Sequence, residues 1–244
     1  AEGDDIIFTD SDGTTQLAHE VEKYTATTGE LVAWVRVPSL ASTSTIYMYY
    51  GNSSVTTFQG NVTSNGVTGV WDTNYKGVWH LKEDPSGTAP QMKDSTSNAF
   101  HGTSNGTMTT SDQVAGQING SMDFDGSNDN IACGTTLDVV NPFTVCAWSY
   151  QPDFSNYGTL FSKRDTWATA DMRFNIVTEG TSGDVWFQAF PTTIDFGFAP
   201  TLTAWNHVCV VSTASASTLY INGVLKLTAA ALTLGTDASA EVRI

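Results

Sequence analysis

The sequence predicts an all-β protein, a two-sheet antiparallel β-sandwich of jelly-roll type with a small extra β segment at its N-terminus. Three observations predict it. Helical periodicity is almost absent, and the single candidate, His19–Tyr24, is short and runs into a Thr-rich turn. Apolar and polar residues instead alternate at period 2 along much of the chain, as strands with one buried face require. Asn222-Gly223 sits between two such alternating halves, and Asn-Gly is a strong hairpin signal because a type I′ turn needs positive φ at both central residues.

The elements follow in order. In Glu30–Pro38, Leu31, Ala33, Val35 and Val37 share one face, Val32, Trp34 and Arg36 share the other, and Pro38 closes the strand. Thr45–Tyr50 is a second strand, ended by Gly51-Asn52 and expected to pair with the first across the Ser/Thr loop at 39–44. Residues 52–70 are polar and unpatterned, which reads as a linker or a long loop. Gly77–Leu81 is a compact strand, and 84–120 is turn-rich. Gly120–Asp125 turns Met122 and Phe124 inward and Asp123 and Asp125 outward. Phe143–Tyr150, Met172–Val177, Val185–Phe190 and Trp205–Val211 all alternate, and Ser217–Leu227 makes the Asn-Gly hairpin. Many short strands separated by turn signals give a sandwich or a barrel. The texture changes near residue 70, so 1–70 reads as a partial β-rich domain and 71–244 as the sandwich. The alternating Glu241–Ile244 reads as a strand cut short, which implies an unpaired sheet edge open to association with another chain.

Composition narrows the function classes. Of 244 residues 40% are hydrophobic and 11% aromatic, enough for a packed core rather than a disordered chain. The net charge of −15 repels phosphate backbones and argues against nucleic acid as a partner. Excess carboxylate favours cations, with calcium the natural candidate in an extracellular setting. No apolar run approaches the roughly 18 to 20 residues of a membrane-spanning helix. Three cysteines are too few for a disulfide framework. Cys146 and Cys209 sit in apolar strands as buried free cysteines often do, and one disulfide stays open as an alternative.

The residues of common catalytic machinery are missing. There is no Gly-x-Ser-x-Gly elbow, phosphate loop or dinucleotide fingerprint. His19, His80, His101 and His207 are dispersed, and His80 and His207, lying in strands, read as structural. Among the glutamates only Glu20 and Glu22 share a period-2 face, and they fall outside the expected sandwich.

Several blocks carry a resemblance. Gly77-Val-Trp-His-Leu81, Asp94-Ser-Thr-Ser-Asn-Ala-Phe-His-Gly-Thr103, Gly116–Gly126, Phe143-Thr-Val-Cys-Ala-Trp148, Trp205-Asn-His-Val208 and Leu219-Tyr-Ile-Asn-Gly-Val224 stand in the order found in LamG-like domains. The second part thus resembles the LamG-like branch of the concanavalin A-like lectin/glucanase superfamily. The first part resembles a prokaryotic domain of unknown function that often precedes such domains in surface proteins. It does so through Gly3–Gly13, Glu20–Tyr24 and Ile46–Gly51.

The resemblance implies a calcium on a loop, with Asp94, Asn98, Asp125 and Asp129 as the expected ligands. It also implies that Trp79, Trp148 and Trp205 build the core. Glucanases of the superfamily carry a Glu-x-Asp-x-x-Glu type strand that sets two carboxylates about 5 to 5.5 Å apart, and no such motif is present here. For sugar binding, aromatic rings flanked by polar groups are the expected chemistry. Three segments offer it: Trp71–Tyr75, Lys163–Trp167 with Arg173, and Asp184–Gln188. The expected ligand-binding residues are Trp167, Asp165, Arg164, Arg173 and Trp186, with Trp167 foremost because it lies in a polar loop.

Together these readings predict a non-catalytic carbohydrate-binding or adhesive module of a secreted or surface multidomain protein. Its expected partner is a polysaccharide or cell-surface glycan. The alternatives are a polysaccharide-active enzyme of the same superfamily and a structural tandem module without a glycan ligand.

Overall fold

In the computed structural model the described residues are 3–64, 67–165, 172–189 and 191–244. They form twenty strands and one short 3-10 turn, Thr110–Asp112. No helix among them is long and apolar enough to cross a membrane. The chain divides into two compact units. Unit 1 comprises Ala1–Lys82, Asp94–Ala99 and Ile118–Ser121, and unit 2 the remainder.

Unit 1 contains β1 (Ile7–Thr9), β2 (Gln16–Leu17), β3 (His19–Thr25), β4 (Glu30–Val35), β5 (Tyr47–Tyr49), β6 (Thr63–Ser64) and β7 (Val67–Thr68). The helix candidate at His19–Tyr24 is therefore strand β3. The turn after it decides the pairing: the Gly29 N–H donates to the Thr25 carbonyl at 2.8 Å, and Gly29 sits at φ 73°. This closes β3 onto β4, with Thr25 opposite Glu30 and His19 opposite Val35. β5 pairs with β1 instead of β4, as Phe8 opposite Met48 shows. The face of β4 was legible: Leu31, Ala33, Val35 and Val37 pack on Ile6, Phe8 and Leu17. Residues 52–70 are not a linker. The His19 N–H donates to the Gly60 carbonyl at 3.1 Å, and the Phe58 ring lies 5.1 Å from the His19 ring. A Cβ at Gly60 would run into the His19 carbonyl and the Phe58 ring.

The division at residue 70 is also displaced. Unit 1 runs to Lys82 because residues beyond 70 bond back into it. The Trp71 indole N–H donates to Glu20, and the Lys82 ammonium donates to the Glu22 carbonyl at 2.8 Å. Gly77–Leu81 forms no ladder strand. Trp79 makes an isolated bridge to Asp94, whose carboxylate takes the Val78 N–H at 2.9 Å.

Along the chain follow β8 (Thr103–Asn105), β9 (Gln113–Ala115), β10 (Gly120–Met122), β11 (Asn130–Ala132), β12 (Phe143–Tyr150), β13 (Gly158–Arg164) and β14 (Met172–Thr178). Then come β15 (Val185–Ala189), β16 (Thr192–Asp195), β17 (Trp205–Ser212), β18 (Ala216–Ile221), β19 (Val224–Ala230) and β20 (Val242–Arg243). Unit 2 is the predicted sandwich. A seven-stranded sheet runs β16-β15-β14-β13-β20-β11-β8, and a four-stranded sheet runs β12-β17-β18-β19. Their aromatic side chains interlock: Phe143 lies 5.1 Å from Phe174 and 6.1 Å from Phe187. Phe161 stacks on Phe174 at 5.9 Å. The β18–β19 turn has the expected positive φ at Asn222 (53°) and Gly223 (75°).

Three residues behave unlike their sequence reading. Cys146 and Cys209 stand directly opposite each other and form a disulfide, and Cys146 is exposed. Lys163 is wholly buried, its ammonium donating to the Thr135 carbonyl at 3.1 Å and the Ala240 carbonyl at 2.9 Å. Burial pushes the Lys163 amine down, while the carboxylates of Asp138 and Asp237 partly restore it.

Candidate functional site

The phenylalanines fix which face of the seven-stranded sheet is the core. Because strand side chains alternate, the residues between them face away from the other sheet. On β14 these are Arg173, Asn175 and Val177, between Met172, Phe174 and Ile176. Register extends this outer face sideways. Thr193, Gln188, Asn175, Ser162, Arg243, Ala132 and Thr103 stand opposite one another across all seven strands. From Gln188 to Arg243 is three inter-strand steps, about 14 Å. A second row places Asp195, Trp186, Val177 and Thr159 beside the first.

This face is polar and deeply set. Ser162 and Asn175 are almost fully buried although they point away from the Phe core. The Asn175 amide donates to the Gln188 side-chain oxygen at 3.2 Å, and Gln188 donates to the Thr193 hydroxyl at 3.2 Å. Asn175 Oδ1 and Trp186 Nε1 are buried and find no hydrogen-bond partner among the described residues. One is an acceptor and the other a donor, and leaving such atoms unmet costs about 1–3 kcal/mol each. The Trp186 ring also lies 5.9 Å from the ring of Tyr157, which is largely exposed. Further along the row, the Arg243 guanidinium donates to Glu241 at 2.7 Å. Burial pushes the Arg164 guanidinium down, and the charge of Arg243 adds to that effect.

Of the five expected ligand-binding residues, Trp186 lies on this face. Arg164 ends β13, two residues beyond Ser162, and Asp165 follows it. The Asp165 carboxylate accepts the Glu241 N–H at 2.9 Å. Arg173 is committed elsewhere: its guanidinium donates to the Val139 carbonyl at 3.1 and 3.2 Å and the Gly235 carbonyl at 2.9 Å. It ties two loops to β14, which leaves it little freedom to meet a ligand. Trp167 lies outside the described residues. Asn175 and Ser162 were missed in sequence. The signal for Asn175 was a lone amide within the apolar run Phe174–Val177, whereas Ser162, followed by Lys163 and Arg164, carried none.

The tryptophans also correct an expectation. Trp148 is not core: it is 42% exposed, on the outer face of the four-stranded sheet. Trp205 is half-buried on that same face, next to Tyr150. The parity of Phe143–Tyr150 explains this, since Phe143 and Val145 take the inward positions and Trp148 and Tyr150 the others.

The expected calcium ligands are divided between the two units. Asp94 and Asn98 belong to unit 1, Asp125 and Asp129 to unit 2. Their polar atoms serve turns. Asp94 accepts the N–H groups of Val78 and Thr96, and Asn98 donates to the Lys76 carbonyl at 3.0 Å. The N–H groups of Ser127, Asn128 and Asp129 hold the Asp125 carboxyl below its usual range against the opposing effect of burial. Asp129 accepts the Thr107 and Asp125 N–H groups. Calcium takes roughly six to eight oxygens, and the carboxylates of Asp94, Asp125 and Asp129 already accept backbone N–H groups. Among the described residues, the only grouping of three His, Cys, Asp or Glu ligand atoms is Cys146, His207 and Cys209, of which the two cysteines are disulfide-bonded.

Glu20 and Glu22 do come together, through His80. Its Nε2 lies 3.2 Å from Glu20 and its Nδ1 3.4 Å from Glu22. The Trp34 indole donates to Glu22 at 2.6 Å, and the Trp71 indole and Ser95 hydroxyl donate to Glu20 at 2.7 and 2.6 Å. His80 stacks on Trp34 at 5.6 Å. The side chains of Glu22 and His80 are only 1% and 8% exposed, while that of Glu20 is 26% exposed. The structural reading of His80 fits this geometry.

Residues 125–244 match the family model described as concanavalin A-like lectin/glucanases superfamily, and residues 2–113 match the domain of unknown function DUF2341. The second part of the chain is therefore similar to the concanavalin A-like lectin/glucanase superfamily, and the first part to that domain of unknown function. No curated protein matches it. Among solved structures it is similar to domain 4 of AbnA, a GH43 extracellular arabinanase from Geobacillus stearothermophilus, in complex with arabinotriose. That likeness has 21% identity and a TM-score of 0.51, covering 68% of this chain and 83% of that one. An alginate lyase from Corynebacterium sp. aligns at 14% identity and a TM-score of 0.26, covering 66% of this chain and 87% of that one. The alginate lyase AlgAT5 aligns at 18% identity and a TM-score of 0.26, covering 50% and 53%.

Proposed function

We propose that this chain is a non-catalytic carbohydrate-binding module of an extracellular protein, and that its glycan lies on the outer face of the seven-stranded sheet. One observation carries the reading: Asn175 Oδ1 and Trp186 Nε1, both buried on that face, lack partners among the described residues. A sugar hydroxyl is donor and acceptor at once and meets either atom. Ser162, Gln188, Thr193 and Arg243 extend the polar row beside them, and the Trp186 and Tyr157 rings offer apolar surface for sugar C–H faces. The row's length of about 14 Å suits an oligosaccharide better than a single sugar. The fold family, named for lectins and glucanases, supports a carbohydrate role. The absence of a paired-carboxylate motif supports binding without turnover.

The arabinotriose bound by the AbnA domain makes arabinan oligosaccharides the first probes, within a broad glycan array. Titration calorimetry on any hit then compares wild type with Asn175→Ala and Trp186→Phe, the latter keeping a ring but losing the N–H. Each variant is expected to weaken binding by 1–3 kcal/mol, about 5- to 150-fold. A blank array, or variants that bind like wild type, would refute the assignment.

A further inference from the structure

The four-stranded sheet has an outer face of a different kind. Register places Trp148 opposite His207 and Tyr150 opposite Trp205, with Cys146 opposite Cys209 and Cys209 opposite Tyr220. Ring centroids are 5.1 Å apart in the Trp148–His207 pair and 5.7 Å apart in the Tyr150–Trp205 pair. Trp148 is 42% and Tyr150 47% exposed. They stand two residues apart on one strand, about 7 Å along it. The disulfide joins β12 to β17 one step from the Trp148–His207 pair and fixes their register. Rings held on a ladder in this way make a broad, rigid aromatic surface.

Charge selects the occupant. The chain carries −15, yet the only Asp, Glu, Lys or Arg in the four strands β12, β17, β18 and β19 is Lys226. Even that ammonium sits over the Phe198 ring, 5.8 Å from its centroid. The face offers no cation for an anionic lipid or an acidic glycan, and the acidic remainder of the chain repels both. Its centre is Trp, Tyr and His rather than Leu, Ile and Met, so it presents amphipathic rings with polar edges. Those rings suit the C–H faces and hydroxyls of an uncharged sugar chain.

We infer that this face is a second carbohydrate surface, distinct from the polar row of the other sheet, and that it adsorbs uncharged polysaccharide by ring stacking. The polar row meets hydroxyls one by one, whereas the aromatic face takes an extended or insoluble chain lying flat. With both, one module holds a polymer on two sides.

The test is adsorption of the whole chain onto microcrystalline cellulose, chitin and insoluble mannan, read as the depletion of protein from solution. Wild type is expected to adsorb saturably to at least one of them, and 1 M NaCl to leave that adsorption intact. Trp148→Ala combined with Tyr150→Ala is expected to lower the association constant at least tenfold. Trp148→Tyr is expected to restore most of it in the Tyr150 background. Leu225→Glu, which sets a charge at an exposed position opposite Tyr220, is expected to act in the same direction. Asn175→Ala leaves this adsorption unchanged while lowering oligosaccharide affinity, so failure of one face is distinguishable from failure of the other. The inference is overturned if wild type adsorbs to none of the three solids, or if the ring variants adsorb like wild type. It is equally overturned if sedimentation shows a wild-type dimer that the ring variants dissolve, since the face is then a self-interface.

Discussion

The Glu20 carboxylate makes the acid stability of unit 1 a quantitative matter. Burial pushes its pKa up, but hydrogen bonds from His80, Ser95 and Trp71 outweigh burial and hold the group at about 2 rather than 4.5. At about 1.36 kcal/mol per pH unit the difference is about 3 kcal/mol, an upper figure because the side chain is 26% exposed. The folded pKa is depressed, so this stability is present above 4.5 and is lost as the pH falls from 4.5 through about 2. His19 contributes in a separate window. Burial lowers its pKa below 6.5, so protonation of the unfolded chain begins to destabilise unit 1 as the pH drops beneath that value. Glu20→Gln removes the first contribution and leaves the second. Urea unfolding followed by tryptophan fluorescence, with Trp34 and Trp71 beside the site, is the assay. Between pH 7 and 4.5 the variant is expected to be less stable than wild type by up to about 3 kcal/mol. Below pH 4.5 the two curves are expected to converge. If the variant loses stability between pH 4.5 and 2 as steeply as wild type does, the carboxylate is not the acid-labile group.

Other perturbations separate structural from ligand-binding roles. Arg173→Ala breaks the guanidinium bonds to Val139 and Gly235 and is expected to cost about 2–4 kcal/mol in thermal unfolding. It is expected to leave glycan affinity within about twofold, the reverse of Asn175→Ala. Gly60→Ala is expected to lower the melting temperature sharply, because its Cβ meets a backbone carbonyl that cannot move aside. Because β12 lies at the edge of its sheet, Thr144→Lys is expected to reduce any concentration-dependent association seen by sedimentation velocity. Chelation with EDTA is expected to change neither glycan affinity nor melting temperature, since the carboxylates of Asp94, Asp125 and Asp129 are taken up by backbone N–H groups.

Faces were more legible than partners. Alternation alone identified Leu31, Ala33, Val35 and Val37 as the inward face of β4, because a period of 2 is a property of one strand. Which strand lay beside it depended on the turn at 25–29, whose Gly29 closes β3 onto β4 before β5 can arrive. The Asn222-Gly223 turn was read correctly because its geometry is written in two adjacent residues. The boundary near residue 70 was misplaced for the opposite reason. Glu20 and Trp71 are 51 residues apart, and a hydrogen bond between them, with ring contacts to Trp34 and His80, draws Trp71 into unit 1. The disulfide belongs with these long-range facts: Cys146 and Cys209 are 63 residues apart, and only the β12–β17 register sets them opposite.

The candidate sites show the same division in sharper form. Family-block reasoning assigned Trp148 to the core, whereas parity within Phe143–Tyr150 places it with Thr144 and Cys146, away from Phe143 and Val145. Parity follows from strand geometry and holds whatever the ring's size, so it was the better guide. Asn175 carries a comparable signal. Every other residue from Phe174 to Val177 is apolar, and the whole stretch is buried, so both faces of β14 are covered there. A lone amide in such a strand must find partners or pay for their absence, which makes it more informative than a Trp in a polar stretch of sequence. Gln188 answers half of that amide, and β15 brings it into place with Trp186 two residues before. What the sequence could not supply was the register joining Asn175 to Gln188 and Ser162. With that register, three scattered polar residues become one row, and the unanswered oxygen at its centre is the atom on which a ligand hydroxyl would fall.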